Sequence, residues 1–422
     1  MNDNNVYIMH KDIPVIKFNI DTGICCIMNE EFVPYSLKNS IKTEENLDSV
    51  EKILSIRSNN RDKIIEYLAN RMLVLSRKNV KKILTAYNFS QNQSPYTKAR
   101  IAIVCKAVSM TDCYWIKTEN DKLKWKDINP RKNHLNEIVS HIALCGKSLT
   151  LDGTPRSPEL TLQGAYAKCW KRRNGETFLL KRSSSSKHES DIEVMVSDIL
   201  DCFNVPHVHY DLTKISIDGE TFSACMCKNM ASENLSLVDA GEFYSYCARN
   251  DKDFIQEVLK IDSEMIYKMC IIDYLLQNPD RHLGNWGFYR NNDTGEIVRM
   301  HPLFDHNNAF DETMSEEFKN RIFSNQTMFE AAKYSLKKCD FRCIKPLEKR
   351  IFLTDNMYYQ FMDRMCKVGI CEKERTNFIS RMVNGGAQYK YLYDIQEDNS
   401  EHYYKTIQYK DKVKKKDISF ER

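Results

Sequence analysis

No stretch of this 422-residue chain approaches the roughly 18 apolar residues that a membrane-spanning helix needs. Charge interrupts its longest apolar runs within a few positions. Its opening residues, Met1-Asn2-Asp3-Asn4-Asn5, lack a basic stretch followed by an apolar one, which argues against a secretory signal. Paired cysteine spacing is also missing. The 15 cysteines are odd in number and scattered, a usage that fits a reducing, cytoplasmic compartment better than a disulfide framework. Cys225-Met226-Cys227 has no second close pair, so buried thiols are the better reading than zinc ligands. There is little excess of either charge: 62 basic against 58 acidic residues leave +4, which does not by itself call for nucleic acid. The basic run Lys412 to Lys416 is read first as a solvated terminus and only weakly as a DNA contact. No internal repeat is evident, and the only low-complexity element is Ser183 to Ser186.

What is present is the balance of a folded protein, 42% apolar and 28% charged, in a chain long enough for two or three packing units. Residues 6–34 alternate short apolar runs with an Asp21-Thr22-Gly23 turn and predict strands. From 43 to 88 apolar residues recur at helical spacing, as in Ile53, Ile56, Ile64, Leu68 and Met72. Residues 1–150 are therefore expected to form an α+β accessory region. A second unit, 151–235, has strands on either side of the hairpin-favouring Asn174-Gly175 pair. A helix marked by Ile192, Met195, Val196, Ile199, Leu200 and Phe203 follows, then further strands near 208–212 and 222–226. The third, 236–422, is mainly helical. Met265, Ile266, Met269, Ile272 and Leu276 form a stripe that Asn278-Pro279 ends.

The chemistry concentrates after that stripe. Asn278-Pro279-Asp280-Arg281-His282-Leu283-Gly284-Asn285 is a polar loop between a helix and a short apolar strand. A hairpin turning near 291–295 leads to Met300-His301-Pro302-Leu303-Phe304-Asp305, so Asp280, Asn285 and Asp305 should meet at its open end. Phosphoryl transfer needs such types: an aspartate to orient a hydroxyl, and an amide oxygen with a second carboxylate to hold magnesium. Lys181 ends the strand before the helix and can neutralise nucleotide phosphates as a point charge. Glu193 on that helix is the favoured ion-pair partner for Lys181, with Glu189 the alternative. Taken singly, Asp280 could cap a helix or pair with Arg281, and Lys181 could be an ordinary strand lysine. His282 reads as a backbone brace, and Trp286 and Phe288 as core.

With these residues in view, the chain resembles the HipA-like serine/threonine kinases, the toxin kinases of bacterial toxin–antitoxin systems. Their atypical protein-kinase-like fold is also related to phosphoinositide kinases. The resemblance, clearest over 150–310, implies an α+β, two-lobed protein-kinase-like fold with a mostly helical C-terminal lobe, preceded here by the extra N-terminal region. It implies ATP and Mg2+ as cofactors, Asp280 as catalytic residue, Asn285 and Asp305 as metal ligands, and Lys181 as the ATP-anchoring lysine. Ser157 to Gly164 resembles the loop that covers the phosphates, with Gly164 its one clear glycine. Met226 and Cys227 fall where the adenine hinge would be, with their backbone making the contact. A serine in the family's phosphate loop is modified and shuts the enzyme off, and Ser157 and Thr161 are the nearest counterparts. The metal aspartate is not followed by Phe-Gly, as expected of the atypical branch. The family also implies a protein substrate and an antitoxin partner, although residues 1–150 do not match its usual N-terminal domain. Two other functions remain open: a lipid or small-molecule kinase, because D-R-H-x-x-N also occurs in phosphoinositide kinases, and a nucleotide-binding pseudokinase or DNA-binding regulator. The intact set of Lys181, Asp280, Asn285 and Asp305 argues against the latter.

Overall fold

The computed structural model describes residues 5–44, 49–92, 94–146, 156–184, 188–217, 219–346 and 352–378, and the backbone of 405–408. The chain opens with β1 (Asn5–His10), β2 (Ile13–Asn19) and β3 (Cys25–Ile27). Gly23 closes the turn before β3 at φ +74, where a Cβ would lie 2.1 Å from the Arg57 carbonyl oxygen, so only glycine fits. The expected helical stretch 43–88 is two helices, α1 (Val50–Asn70) and α2 (Val80–Ala86). Two arginines between them tie this region to distant segments. Arg71 turns aside to form a two-pronged pair with Asp112, and Arg77 turns inward, fully buried. Next come α3 (Pro95–Val104), β4 (Tyr114–Thr118), the single turn α4 (Trp125–Ile128) and α5 (Glu137–Cys145). The four strands form an antiparallel sheet of order β3-β2-β1-β4.

After a 3₁₀ turn (Pro158–Thr161), β5 (Lys168–Arg173) and β6 (Glu176–Arg182) make a hairpin. Asn174 and Gly175 both have positive φ, the signature of the tight turn this dipeptide favours. Then follow α6 (Glu189–Cys202), β7 (Tyr210–Ile217) and β8 (Glu220–Lys228). The helical part consists of β9 (Leu235–Asp239), α7 (Ala240–Arg249), α8 (Phe254–Leu275), β10 (Gly287–Asn291), β11 (Ile297–Met300), α9 (Met328–Leu336), α10 (Asp355–Val368) and α11 (Glu372–Phe378). A last strand, β12 (Lys405–Gln408), pairs with β7 by its backbone. The second sheet runs β12-β7-β8-β6-β5 and the third β11-β10-β9. The architecture is thus mixed α+β, consistent with a protein-kinase-like fold.

Two features of the packing position the site. The apolar face of α6 (Met195, Val196, Ile199, Leu200, Phe203) sinks into the same core as α8 and α10, which joins the sheet's helix to the helical part. The core of residues 6–144 also continues across residue 150: Leu160, Cys169, Leu180, Ile215 and Ala224 belong to it. The N-terminal strands and helices therefore back one face of the five-stranded sheet. They also grip the helical part, where Arg290 donates to the Glu31 carbonyl at 2.7 Å and Arg249 to the Tyr35 carbonyl at 2.6 Å. Among the described residues no helix is long and apolar enough to cross a membrane.

Candidate active site

Lys181 stands in β6, one residue from its end, with its ammonium 2.7 Å from Glu193 Oε1 and 2.8 Å from Asp305 Oδ1. The Tyr210 hydroxyl is 3.3 Å away. Glu189, the alternative partner, instead accepts from the Ser184 amide and hydroxyl at the start of α6. The second oxygen of Glu193 accepts from the His306 amide at 3.0 Å, so one buried carboxylate holds both the lysine and the residue after Asp305. Asp305 has φ +61, rare for a non-glycine residue and typical of sites that surrounding structure must hold in place.

Electrostatics follow from this crowding. Burial disfavours the Lys181 ammonium, but the Asp305 and Glu193 carboxylates outweigh it and raise its pKa well above the ordinary value. Burial alone would raise the Asp305 carboxyl, yet the ammonium groups of Lys181 and Lys168 hold it well below the usual carboxylate range. Glu193 is raised by burial first, with Lys181 opposing and Asp305 adding. One cation is shared by two acids, and the more deeply buried acid is the one driven towards neutrality.

Lys168 was not among the expected site residues. It is buried, and its pKa is pushed down to about 8, first by burial, with Lys181 adding and Asp305 opposing. The signal for it was available, because counting outward from Asn174-Gly175 pairs Lys168 with Lys181 across the hairpin. Gly164, at φ +96, lies above it, and a Cβ there would approach the Lys168 Nζ to 2.3 Å. The left-handed backbone favours glycine there, and the lysine tip fills the space a side chain would take.

The loop after α8 is braced from below. Arg281 does not pair with Asp280. It is buried, forms a forked pair with Asp273 and donates at 2.7 Å to the Asn285 carbonyl and at 2.9 Å to the Phe304 carbonyl. One guanidinium thus ties the helix end, the loop and the strand that delivers Asp305. The Asn285 amide donates to the Asp280 carbonyl at 2.8 Å. Asp280 Oδ2 accepts from Asn308 Nδ2 at 2.7 Å, a contact that no sequence pattern announced. The Asn308 oxygen in turn lies 3.5 Å from the Tyr166 hydroxyl, beside Gly164. His282 braces backbone, accepting from the Gly284 amide at 3.0 Å. Trp286 and Phe288 are fully buried core residues.

Other expected residues fall elsewhere. Ser157 and Thr161 are buried. The Ser157 hydroxyl accepts from the Glu159 amide, and the Thr161 hydroxyl donates to the Val108 carbonyl at 2.8 Å. Their hydroxyls face the N-terminal core, which corrects the expectation that they are open to modification. Glu159 between them is buried against Arg77, so the exposed part of the expected phosphate loop shrinks to Gln163 and Gly164. Met226 and Cys227 lie inside the sheet, with β6 on one side and β7 on the other, so their peptide groups are ladder partners. That corrects their placement as the hinge: the chain leaves the sheet only after Lys228. Burial raises the Cys225 thiol well above its ordinary value and pushes Cys227 up to about 12, which disfavours the thiolates zinc requires. Residues 151–155, the serines 185 and 186 and the basic run 412–416 lie outside the described residues.

Residues 165–342 match the family described as HipA-like kinase. That segment contains Lys168, Lys181, Glu193, Asp280, Asn285, Asp305 and Asn308, and it leaves the N-terminal strands and helices outside. Among solved structures, the Helicobacter pylori proinflammatory kinase CtkA is 16% identical with a TM-score of 0.32, covering 50% of this chain and 84% of its own. The HipA of a Shewanella oneidensis MR-1 toxin–antitoxin system, solved with HipB and operator DNA, is 11% identical with a TM-score of 0.48, covering 86% and 88%. Both scores are low, and the kinase-like assignment rests on the family match and on this chain's own topology. No curated protein gives a significant match.

Proposed function

We propose that this protein is an ATP- and Mg2+-dependent phosphotransferase acting on an alcohol group, and specifically a serine/threonine protein kinase of the HipA-like type. The observation that carries this reading is the convergence of Lys181, Glu193 and Asp305 beside the loop that holds Asp280 and Asn285. The residues fit the cofactors. Asp305 is held ionised at neutral pH, and the Asn285 amide nitrogen is committed to Asp280, which leaves its oxygen for a hard cation. Asp305 and Asn285 would hold the magnesium, which when bound neutralises phosphate charge. Lys181 and Lys168 would receive the phosphates, with Gly164 giving the backbone close approach. Asp280, oriented by Asn308, accepts the hydroxyl proton as the alcohol attacks.

The antitoxin and DNA side of the resemblance has no described residue of this chain to rest on. The test is labelled-phosphate transfer from ATP to protein, inositide and sugar acceptors. Transfer to protein is expected, and Asp280→Asn should lower it by roughly a hundredfold or more while ATP affinity stays within a few-fold. Inositide or sugar labelling instead would replace the protein-kinase reading, and full activity in Asp280→Asn would remove Asp280 from the chemistry.

A further inference from the structure

A second cluster of ligand-type side chains lies away from the site, and the proposed reaction does not use it. Asp201 in the last turn of α6, His207 and His209 bring ligand atoms that all lie within 4.8 Å of one another. The Asp201 carboxylate faces one nitrogen of each imidazole. Its Oδ1 is 4.0 Å from His207 Nε2 and its Oδ2 is 3.8 Å from His209 Nδ1. The ring centroids are 4.4 Å apart.

His207 is prepared for a ligand role. Its Nδ1 is 2.7 Å from the Val205 carbonyl oxygen, which can only accept, so Nδ1 carries the hydrogen. Nε2 of the neutral ring is then the acceptor, taking the hydrogen of the buried Ser197 hydroxyl at 3.0 Å with Asp201 Oδ1 4.0 Å away, and an ion bound there would take that lone pair over from Ser197. A backbone carbonyl fixing the far nitrogen is the usual support of a metal-bound histidine. Ser197 and Asp201 are four residues apart and share one face of α6. His207 is buried, whereas Asp201 and His209 are partly and largely exposed, with side-chain exposures of 38% and 71%. Two ligands are therefore free to close on a fixed third. Metal bonds of about 2.0–2.1 Å at a tetrahedral centre place neighbouring donors about 3.4 Å apart, so closure from separations of up to 4.8 Å requires the two exposed ligands to move in by up to about 1.4 Å.

We propose that Asp201, His207 and His209 form a site for a divalent transition ion of the zinc type, with an open fourth position. Two imidazoles and one carboxylate suit zinc and disfavour magnesium, which takes oxygen ligands. The site joins two elements that matter to the catalytic centre. Asp201 lies two turns beyond Glu193 on α6. His207 forms a parallel bridge with Leu303, flanked by bonds from the Val208 amide to the Leu303 carbonyl and from the Leu303 amide to the Pro206 carbonyl. Leu303 lies two residues before Asp305. An ion here fastens the end of the glutamate helix to the strand that supports the metal aspartate.

The test is titration of the full chain with Co2+ alone, without nucleotide or magnesium, followed by absorption, with Zn2+ as competitor. One equivalent should bind with the visible bands of a four-coordinate nitrogen–oxygen site, without sulfur-to-cobalt charge transfer, and Zn2+ should displace it. His209→Ala and Asp201→Asn, both at exposed positions, should each weaken binding by at least about tenfold while circular dichroism stays unchanged. The proposal is overturned if no saturable binding occurs at micromolar Co2+. It is equally overturned if a sulfur charge-transfer band shows that cysteines hold the ion, or if both variants bind as the parent does.

Discussion

Arg77→Met should loosen both the fold and the nucleotide loop. Arg77 is fully buried and donates to three carbonyl oxygens, those of Glu159 at 2.9 Å, Leu162 at 2.8 Å and Lys168 at 2.8 Å, besides pairing with the Glu159 carboxylate. Burial lowers the arginine's pKa and raises the glutamate's, each leading over the partner's opposing pull. The pair therefore does not recover its own desolvation. Breaking it is another matter, because a buried carboxylate and three carbonyls lose their donor at once. Removing one member of a buried pair costs about 3–5 kcal/mol, so a loss of about 4 kcal/mol in denaturant-unfolding stability is expected. Glu159 keeps its bonds from the Trp170 amide and the Ser140 hydroxyl. Arg77→Met combined with Glu159→Gln should consequently recover part of the loss. Because Arg77 suspends the segment running from Leu162 to Lys168, past Gly164, the variant's KM for ATP should rise more than its kcat falls. A stability loss below about 1 kcal/mol would refute the reasoning, since buried-pair removal does not come so cheaply. So would an unchanged KM at a large loss.

Lys181→Met should reduce transfer by more than about a hundredfold and lower stability, because two carboxylates then face each other unpaired. Adding Glu193→Gln should restore stability but not transfer, which unfolding curves and labelled ATP together would establish. Asn308→Ala should lower kcat by about ten- to a hundredfold, the range of one charge-assisted hydrogen bond, with KM for ATP nearly unchanged in steady-state kinetics. His301 is buried and its pKa is lowered to about 4, chiefly by burial. The folded ring stays neutral while the unfolded one takes a proton below about 6.5. Its contribution is full above that value and is lost as pH falls towards 4. The stability advantage of the parent over His301→Asn should thus shrink by about 2 kcal/mol between pH 7 and 5. Parallel stability curves across that interval would contradict this assignment.

The convergence of Asp280, Asn285 and Asp305 was legible because its parts are contiguous: Asp280 to Asn285 lie within six residues, and a hairpin returns the chain to Asp305. The helix of Glu193 was legible from its apolar stripe, and the choice between Glu189 and Glu193 needed only the structure's geometry. Lys168 was legible in principle, because the hairpin register about Asn174-Gly175 sets it opposite Lys181. That Met226 and Cys227 lie within the ladder was not legible, because strand ends are set by which neighbours pair, and both neighbours of β8 extend along these residues. Ser157 and Thr161 could not be read correctly at all. Their burial depends on Arg77 and Val108, roughly fifty to ninety residues away, and no local pattern encodes such a contact. Asn308 is equally silent, because its partner is fixed by the return of the chain after Asp305.

The central claim is that one cleft holds MgATP with its terminal phosphate aimed at Asp280. A crystal structure with a non-hydrolysable ATP analogue and Mg2+ tests it most directly. The expected result places the cation on Asp305 and Asn285, the phosphates against Lys181 and Lys168 under Gly164, and the terminal phosphate facing Asp280. A nucleotide bound elsewhere, or in this cleft with Asp305 still held by Lys181 and no cation beside it, would contradict the account.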